Sequence, residues 1–449
     1  MTKREIRCIY FLQLDEVKAN HLSVYGYDRK QKYMEMLAKD GVAFDCCITA
    51  SSYTGIVTMS MHSGQMPTHS GVRDPFHYVT VPLMQEYLQR WGWKTQGAMS
   101  QSFAGSMLGM NKGFDKFIEP TNPNDPDAWH DGQDHWGALG IHVDDEWHAR
   151  PVGKWYVGDN MEFLNRVQKE DFYLYNQFYE THFGSQDYLL RTGKIKEGEM
   201  SENAYYDAKI KLADEEILGK VVEELKRTGR YDEAIIVVCS DHGTSLLSAN
   251  PPLGDYIQEM MGMENVASSH AGLYDVDLHV PLIIKAPNIP KNAIGKMIEG
   301  QVRTIDIVPT ILDLLGFPEG EIKVPMDGES LVPCMRDLKG HGKRAYAETL
   351  WAPYGMGSRQ MLRENNWKYI KYASSMTEEF YDLRKDPLEQ VNLIEKLISH
   401  SPKWLQLLRE QCNDNYREEL KGVERPMMPK REKEEIRARL RQLGYLMEE

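Results

Sequence analysis

No apolar run in this sequence approaches the ~20 residues that a bilayer-spanning helix requires, so no passage through a membrane is expected. No C-x-x-C pair occurs either. The six cysteines, Cys8, Cys46, Cys47, Cys239, Cys334 and Cys412, are scattered, which excludes a zinc-finger reading. Cys8 and Cys239 lie inside apolar, strand-like runs and read as small core residues, a usage that fits a reducing compartment. Basic residues are in deficit: 53 Lys and Arg face 67 Asp and Glu, for a net charge of −14. Nucleic acid is thereby disfavoured as a partner, because affinity for its backbone rests mostly on Lys and Arg. A small anionic substrate is still compatible, since a bound metal supplies positive charge locally. The opening Met1-Thr2-Lys3-Arg4-Glu5 leads directly into a short apolar run with no signal-peptide pattern, and a cytoplasmic location is expected. No internal repeat or low-complexity tract occurs, and nothing in the pattern fixes an oligomeric state.

What is present is an ordinary globular composition, 41% apolar and 27% charged over 449 residues. Ile6 to Leu14 reads as a buried strand ending in Asp15-Glu16, and Ala234 to Cys239 as a second, ending in Ser240-Asp241-His242-Gly243. Phe172 to Phe178, Lys94 to Met99 and Val280 to Ile284 read as further strands. Helices are predicted at Gln31 to Lys39, Val81 to Arg90, Ser201 to Arg227 and Ile305 to Leu315, with another opening at Thr54. Strands alternating with helices predict an α/β fold with a mostly parallel sheet covered on both faces. Residues 100–160, rich in Gly, Pro, Asn, His and Trp, read as long loops. The texture changes near residue 340. A catalytic α/β domain is therefore expected over 1–340. A smaller C-terminal α+β subdomain is expected over 341–449, with strand-like pieces at Trp367 to Tyr372 and Phe380 to Leu383 and helices at Trp404 to Glu419 and Glu432 to Leu443.

Asp15 and Asp241 each stand just beyond the end of an apolar strand, where ligands bind in open α/β sheets. Each has a second ligand-type neighbour, Glu16 and His242. Carboxylates with one imidazole make a divalent-metal site, and the donor set suits Zn or Mn. A strand-end Asp by itself more often caps a turn; the pair with its neighbours favours the metal. Thr54 would sit at a helix N-terminus, where anions bind readily. As an N-cap a Thr is unremarkable, but coordination to a metal is one way to make its hydroxyl a nucleophile. The histidines and tryptophans of the 129–148 loop read as loop-packing residues, and His21 and His69 as structural.

Several stretches resemble the sulfatase family of the alkaline phosphatase superfamily: YFLQLDEVKANHLSVYGY, SMHSGQMPTHSGV, GFDKF, SDHG, HAGLYDVDLHVPLII, EFYDLRKDPLEQVNL and RLRQLGYL, in the family's order from residue 10 to 446. The resemblance implies an alkaline-phosphatase-like α/β fold. It implies metal ligation by Asp15, Asp241 and His242, with Glu16 where a second Asp often stands and Thr54 touching the metal. It implies that His270 contacts the substrate's anionic group and that His182 faces the scissile ester. Ca or Mg is the metal that the family's usage adds to Zn or Mn. The nucleophile position falls on Thr54, where the family has Cys or Ser matured to formylglycine. Thr58 replaces the motif's Arg and Val57 its Ser, and Met99-Ser100-Gln101-Ser102 replaces a Gly-Lys-Trp-His segment. Threonine cannot form the aldehyde, and threonine nucleophiles in related branches act on phosphorus. The expectation is hydrolysis of a phosphodiester or phosphonate monoester. The alternatives are a sulfuric ester hydrolase, a phosphotransferase needing an alcohol acceptor, and an inactive anion binder.

Overall fold

The computed structural model describes residues 6–100, 104–119, 153–179, 181, 189, 194–196, 202–246, 268–269, 272–349, 358–372, 377–417 and 434. Fourteen strands occur among them. Eight form the main sheet: β1 (Cys8–Leu14), β2 (Val42–Ile48), β3 (Lys94–Met99), β4 (Lys116–Ile118), β5 (Phe172–Phe178), β6 (Ala234–Ser240), β9 (His279–Lys285) and β10 (Lys296–Arg303). A two-residue pair, β7 (Ser245–Leu246) and β8 (Ser268–Ser269), stands apart. The main sheet runs in the order β10-β2-β9-β6-β1-β5-β3-β4. All neighbours are parallel except β9, which runs against both β2 and β6. β1, β5 and β6 at its centre are fully buried and apolar almost throughout, as strands covered on both faces must be.

Helices cover both faces. One face carries α2 (Thr54–Ser63), α3 (Met84–Arg90) and α6 (Ile307–Leu314), packed on Phe11, Tyr175, Val237 and Leu282. The other carries α1 (Lys32–Asp40), α4 (Gly153–Arg166) and a long helix, packed on Tyr10, Leu12, Leu174 and Ile236. That long helix, predicted as one run, is α5 (Glu202–Leu212) continued by a π-helical turn (Ala213–Leu218) and a second α segment (Gly219–Arg227). The π turn re-aims its faces: Tyr206 and Asp207 reach the loop after β1, while Asp214 accepts from the backbone N–H of Tyr33 and Met34 at the start of α1.

A smaller antiparallel sheet, β11 (Ala345–Thr349), β12 (Arg359–Glu364), β13 (Trp367–Tyr372) and β14 (Glu378–Asp382), follows. One of its faces packs on Ile48 of β2 and on Leu273 and Leu278 of the segment leading into β9. The other is covered by α7 (Ile394–His400) and α8 (Pro402–Arg417). A buried ionic cluster joins the sheets: Lys368 meets Asp275 at 2.5 Å and Glu389 at 2.7 Å, and Arg363 meets Asp275 at 2.8 Å. The α/β class, the mostly parallel sheet and the smaller C-terminal antiparallel sheet agree with the sequence reading. β2, β10, β11 and β12 carry charged or small residues and were not anticipated. Of the helix expected at Glu432 to Leu443, all but Glu434 lies outside the described residues.

Candidate active site

Parallel register explains why two acids 226 positions apart meet. Leu14, the last residue of β1, is level with Ser240 of β6 on one side and Phe178 of β5 on the other. The residues that follow continue the ladder: the N–H of Asp241 donates to the Leu14 carbonyl and that of Asp15 to the Phe178 carbonyl, both at 3.0 Å. Adjacent strands lie about 4.8 Å apart, so two carboxylates at their tips converge by construction. Among the described residues, ligand atoms of Asp15, Asp241 and His242 all lie within 4.8 Å of one another, fully buried. The glycine of Ser-Asp-His-Gly has a steric cause, because a Cβ on Gly243 would stand 2.2 Å from the Val276 carbonyl.

Thr54, first residue of α2 and 7% exposed, completes the group. Its Oγ1 lies 3.4 Å from Asp15 Oδ2 and 3.2 Å from His242 Nε2. The α2 helix is held there by matched periodicities. Thr54, Thr58 and His62 recur every fourth residue on α2; Asp15, Gln13 and Phe11 recur every second residue on β1. Four helical residues rise about 6.0 Å and two strand residues about 6.6 Å, so the two stripes stay level. Thr58 Oγ1 accepts from Gln13 Nε2 at 2.8 Å, and His62 stacks on Phe11 with ring centroids 5.1 Å apart. Tyr175 on β5 closes this layer, donating to Gln13 Oε1 at 2.9 Å and meeting His62 edge-on. Burial pushes His62 down to about 3, which keeps it neutral.

Hydrogen bonds around the cluster orient its atoms. The Nδ1 of His242 lies 2.8 Å from the Gly243 carbonyl, which can only accept. Nδ1 therefore carries the proton, and the lone pair is on Nε2, the atom facing Thr54. Asp241 Oδ1 accepts from the backbone N–H of Glu16 and His242, whereas its buried Oδ2 has no hydrogen-bond donor among the described residues. Burial, then the neighbouring Asp241 and Glu16, hold the Asp15 carboxyl well above the usual carboxylate range. Two buried carboxylates side by side cannot both ionise without a counter-charge. An undonated Asp241 oxygen, a lone pair on His242 and this like-charge crowding are what a divalent cation would satisfy, so the donor set fits a metal.

Glu16 stays outside the three-residue set. Its backbone is left-handed, with φ 57°, its N–H is spent on Asp241 and its carbonyl accepts from the Tyr206 hydroxyl at 2.6 Å. Its buried carboxyl is pushed up to about 8 by burial, against the pull of His242 and Lys209. His182 and His270 lie outside the described residues. His21 and His69 are both paired with carboxylates, Asp207 at 3.0 Å and Asp327 at 2.8 Å, as structural histidines would be. Gln13 and Gln177 were not singled out from the sequence, although amides inside the apolar runs FLQL and YNQF signal a polar layer.

Strand order, carboxylates at strand tips and a hydroxyl at a facing helix N-terminus define the class as an alkaline-phosphatase-like α/β protein. The particular family follows from comparison. The model of the sulfatase family matches residues 8–317, and the chain belongs to that family. A second model, the C-terminal part of N-sulphoglucosamine sulphohydrolase, matches residues 270–417. Arylsulfatase K of Bos taurus is 29% identical over 232 residues, 49% of this chain and 39% of that protein. Choline-sulfatase of Rhizobium meliloti is 31% identical over 198 residues, 43% of this chain and 33% of that protein. The match thus spans between a third and two fifths of these relatives' length. The phosphonate monoester hydrolase of Agrobacterium radiobacter shares the fold, with a TM-score of 0.67 at 18% identity, covering 91% of this chain and 96% of that one. No described helix is long and apolar enough to cross a membrane.

Proposed function

We propose that this protein hydrolyses a small anionic ester, a phosphodiester or phosphonate monoester, with Thr54 as nucleophile. One observation carries the reading: Thr54 Oγ1 stands at the start of α2 within 3.4 Å of both Asp15 Oδ2 and His242 Nε2. Asp15, Asp241 and His242 would hold one divalent cation, Zn or Mn by donor type and Ca or Mg by family usage, with Thr54 and Glu16 as the remaining ligands of the expected set. When bound, the cation supplies Lewis acidity to the ester oxygen and lowers the pKa of the adjoining hydroxyl. Thr54 Oγ1 gives its proton to solvent and attacks phosphorus in line. The bond to the leaving oxygen breaks, and that oxygen takes a proton from His182 or His270. Water then cleaves the threonine ester and regenerates the hydroxyl. The first N–H groups of α2 point at the same place and favour the anion there.

Phosphorus is preferred to sulfur because a threonine ester cannot expel sulfate by collapsing to an aldehyde. Sulfuric ester hydrolysis is the second reading, favoured by the curated relatives named above, which are sulfatases. Turnover of bis(para-nitrophenyl) phosphate, a phenylphosphonate monoester and para-nitrophenyl sulfate by the Mn- or Zn-loaded protein separates them. Preference for a phosphorus ester, with a phosphorylated peptide containing Thr54 trapped by acid quench, is the expected result. Preference for the sulfate ester would sink the phosphorus assignment. Product formed only with added alcohol would make the protein a transferase.

A further inference from the structure

Gln177, the sixth residue of β5, has no part in the chemistry above, yet it is the side chain best placed to govern Asp15. Its Nε2 donates to Asp15 Oδ2 at 2.8 Å, the same oxygen that Thr54 Oγ1 approaches. Only the amide nitrogen can donate to a carboxylate, so this contact fixes which way the amide points. Its Oε1, fully enclosed, has no hydrogen-bond donor among the described residues. The amide orientation thus follows from the bond to Asp15.

The backbone of Gln177 is held firmly as well. Its carbonyl accepts from the Tyr156 hydroxyl at 2.9 Å, from Ser100 Oγ at 3.1 Å and from the Ser100 N–H at 3.3 Å. Three donors from two other elements thus fix the strand end from which the side chain reaches across to β1. On the neighbouring strand the Asp15 carbonyl accepts from Thr181 Oγ1. Asp15 is therefore clamped at its main chain and at one carboxylate oxygen. One rung below, Gln13 ties β1 to Thr58 of α2, while Gln177 ties β5 to the end of β1.

We propose that Gln177 is a positioning residue that aims the Asp15 carboxylate at the cation site. The inference rests on reading Asp15, Asp241 and His242 as cation ligands. Partners of this kind set ligand orientation, and their loss typically weakens metal binding about 10- to 100-fold.

The test is the affinity of the full-length, metal-stripped protein for Mn²⁺, titrated by electron paramagnetic resonance of the free ion. Gln177→Met keeps the volume and removes the donor; Gln177→Asn keeps the polarity and withdraws the donor by one methylene. Asn176→Leu is the control. That residue is equally buried on the opposite face of β5, where it exchanges hydrogen bonds with Asn160. The expected result is a Kd raised about 10- to 100-fold in both Gln177 variants and within twofold of wild type in the control. Gln177→Asn serves if Gln177→Met does not fold. A Kd within twofold of wild type in the folded Gln177 variants would overturn the inference. So would an equal weakening in Asn176→Leu, which would mark general damage to β5. Failure of the wild type to bind Mn²⁺ at all would remove the cation reading and the inference with it, and is recognised without any variant.

Discussion

Replacing Thr54 with Ala separates stability from chemistry more cleanly than any other change to this site. The substitution removes one hydroxyl and one methyl at a position that is 7% exposed. The hydroxyl's two contacts, at 3.4 and 3.2 Å, are long for an O–H donor. A net hydrogen bond is worth about 1 kcal/mol at best, and Ala is a good helix former at the first position of α2. The expected loss of stability is therefore about 1 kcal/mol, a few degrees or less in Tm for a chain of this size. Turnover should respond on another scale. Removal of a nucleophile costs about 10⁴- to 10⁶-fold in kcat, or about 5.5–8 kcal/mol of barrier at 1.36 kcal/mol per decade. Thr54→Ser keeps the oxygen and should stay within about tenfold to a hundredfold of wild type. Steady-state hydrolysis of the preferred ester, metal content by plasma emission and calorimetric Tm are measured on the same preparations. Thr54→Ala that retains a tenth of wild-type kcat with its metal in place would refute the nucleophile assignment.

Two further substitutions probe the scaffold. Arg73 and Glu348 form an ion pair with side chains 1% and 0% exposed, and Glu348→Gln removes the carboxylate that this buried guanidinium is paired with. The expected destabilisation is about 3–5 kcal/mol by urea unfolding, with Arg73→Met plus Glu348→Leu recovering much of it. Asp214 is pushed up to about 6 by burial, against the pull of the Tyr33 and Met34 N–H groups. A carboxyl whose folded pKa is raised contributes stability that is fully present below its unfolded pKa of about 3.9 and is lost as pH rises through about 6. Asp214→Asn should therefore lose about 2–3 kcal/mol less than wild type between pH 4 and pH 7. Parallel pH–stability curves for the two proteins would contradict this.

The sequence made the centre of the fold legible because its central strands are buried on both faces and therefore almost continuously apolar. β1, β5 and β6 were readable within a residue or two for that reason, and so were the two acids that end β1 and β6. The outer strands were not. In β2, Asp45 interrupts the apolar run and donates order elsewhere, its Oδ1 accepting from the Gly300 N–H of β10. In β10, LysMetIleGluGlyGlnValArg carries a register shift between Ile298 and Gln301, which destroys the alternation a half-buried strand would show. The π turn at Ala213–Leu218 was hidden because its local sequence is helical throughout; only the need to serve both Tyr206 and Asp214 contacts explains it. At the site, Asp15, Thr54, Asp241 and His242 were recoverable from strand ends and motif order. The two glutamines were not, since a glutamine in a strand carries no catalytic signature until its partner is known.

The departure at 58 gains an explanation from the layer beneath Thr54. An arginine at 58 would place a guanidinium one helical turn below residue 54, facing Gln13 and Tyr175. This chain has Thr58 there, and the position is not left ragged: Gln13 donates to Thr58 at 2.8 Å and accepts from Tyr175 at 2.9 Å, and His62 below them is neutral. Here Thr58, Gln13 and Tyr175 are joined in one hydrogen-bonded chain. A neutral layer at that level does nothing to relieve the buried charge of Asp15 and Asp241. The relief has to come from the open side of the strand tips, where His242 and a bound cation would stand. On the proposed reading the electrostatic load of the site would fall on a bound cation, and the nucleophile suited to it would be one that a metal can activate, a plain hydroxyl rather than an aldehyde hydrate.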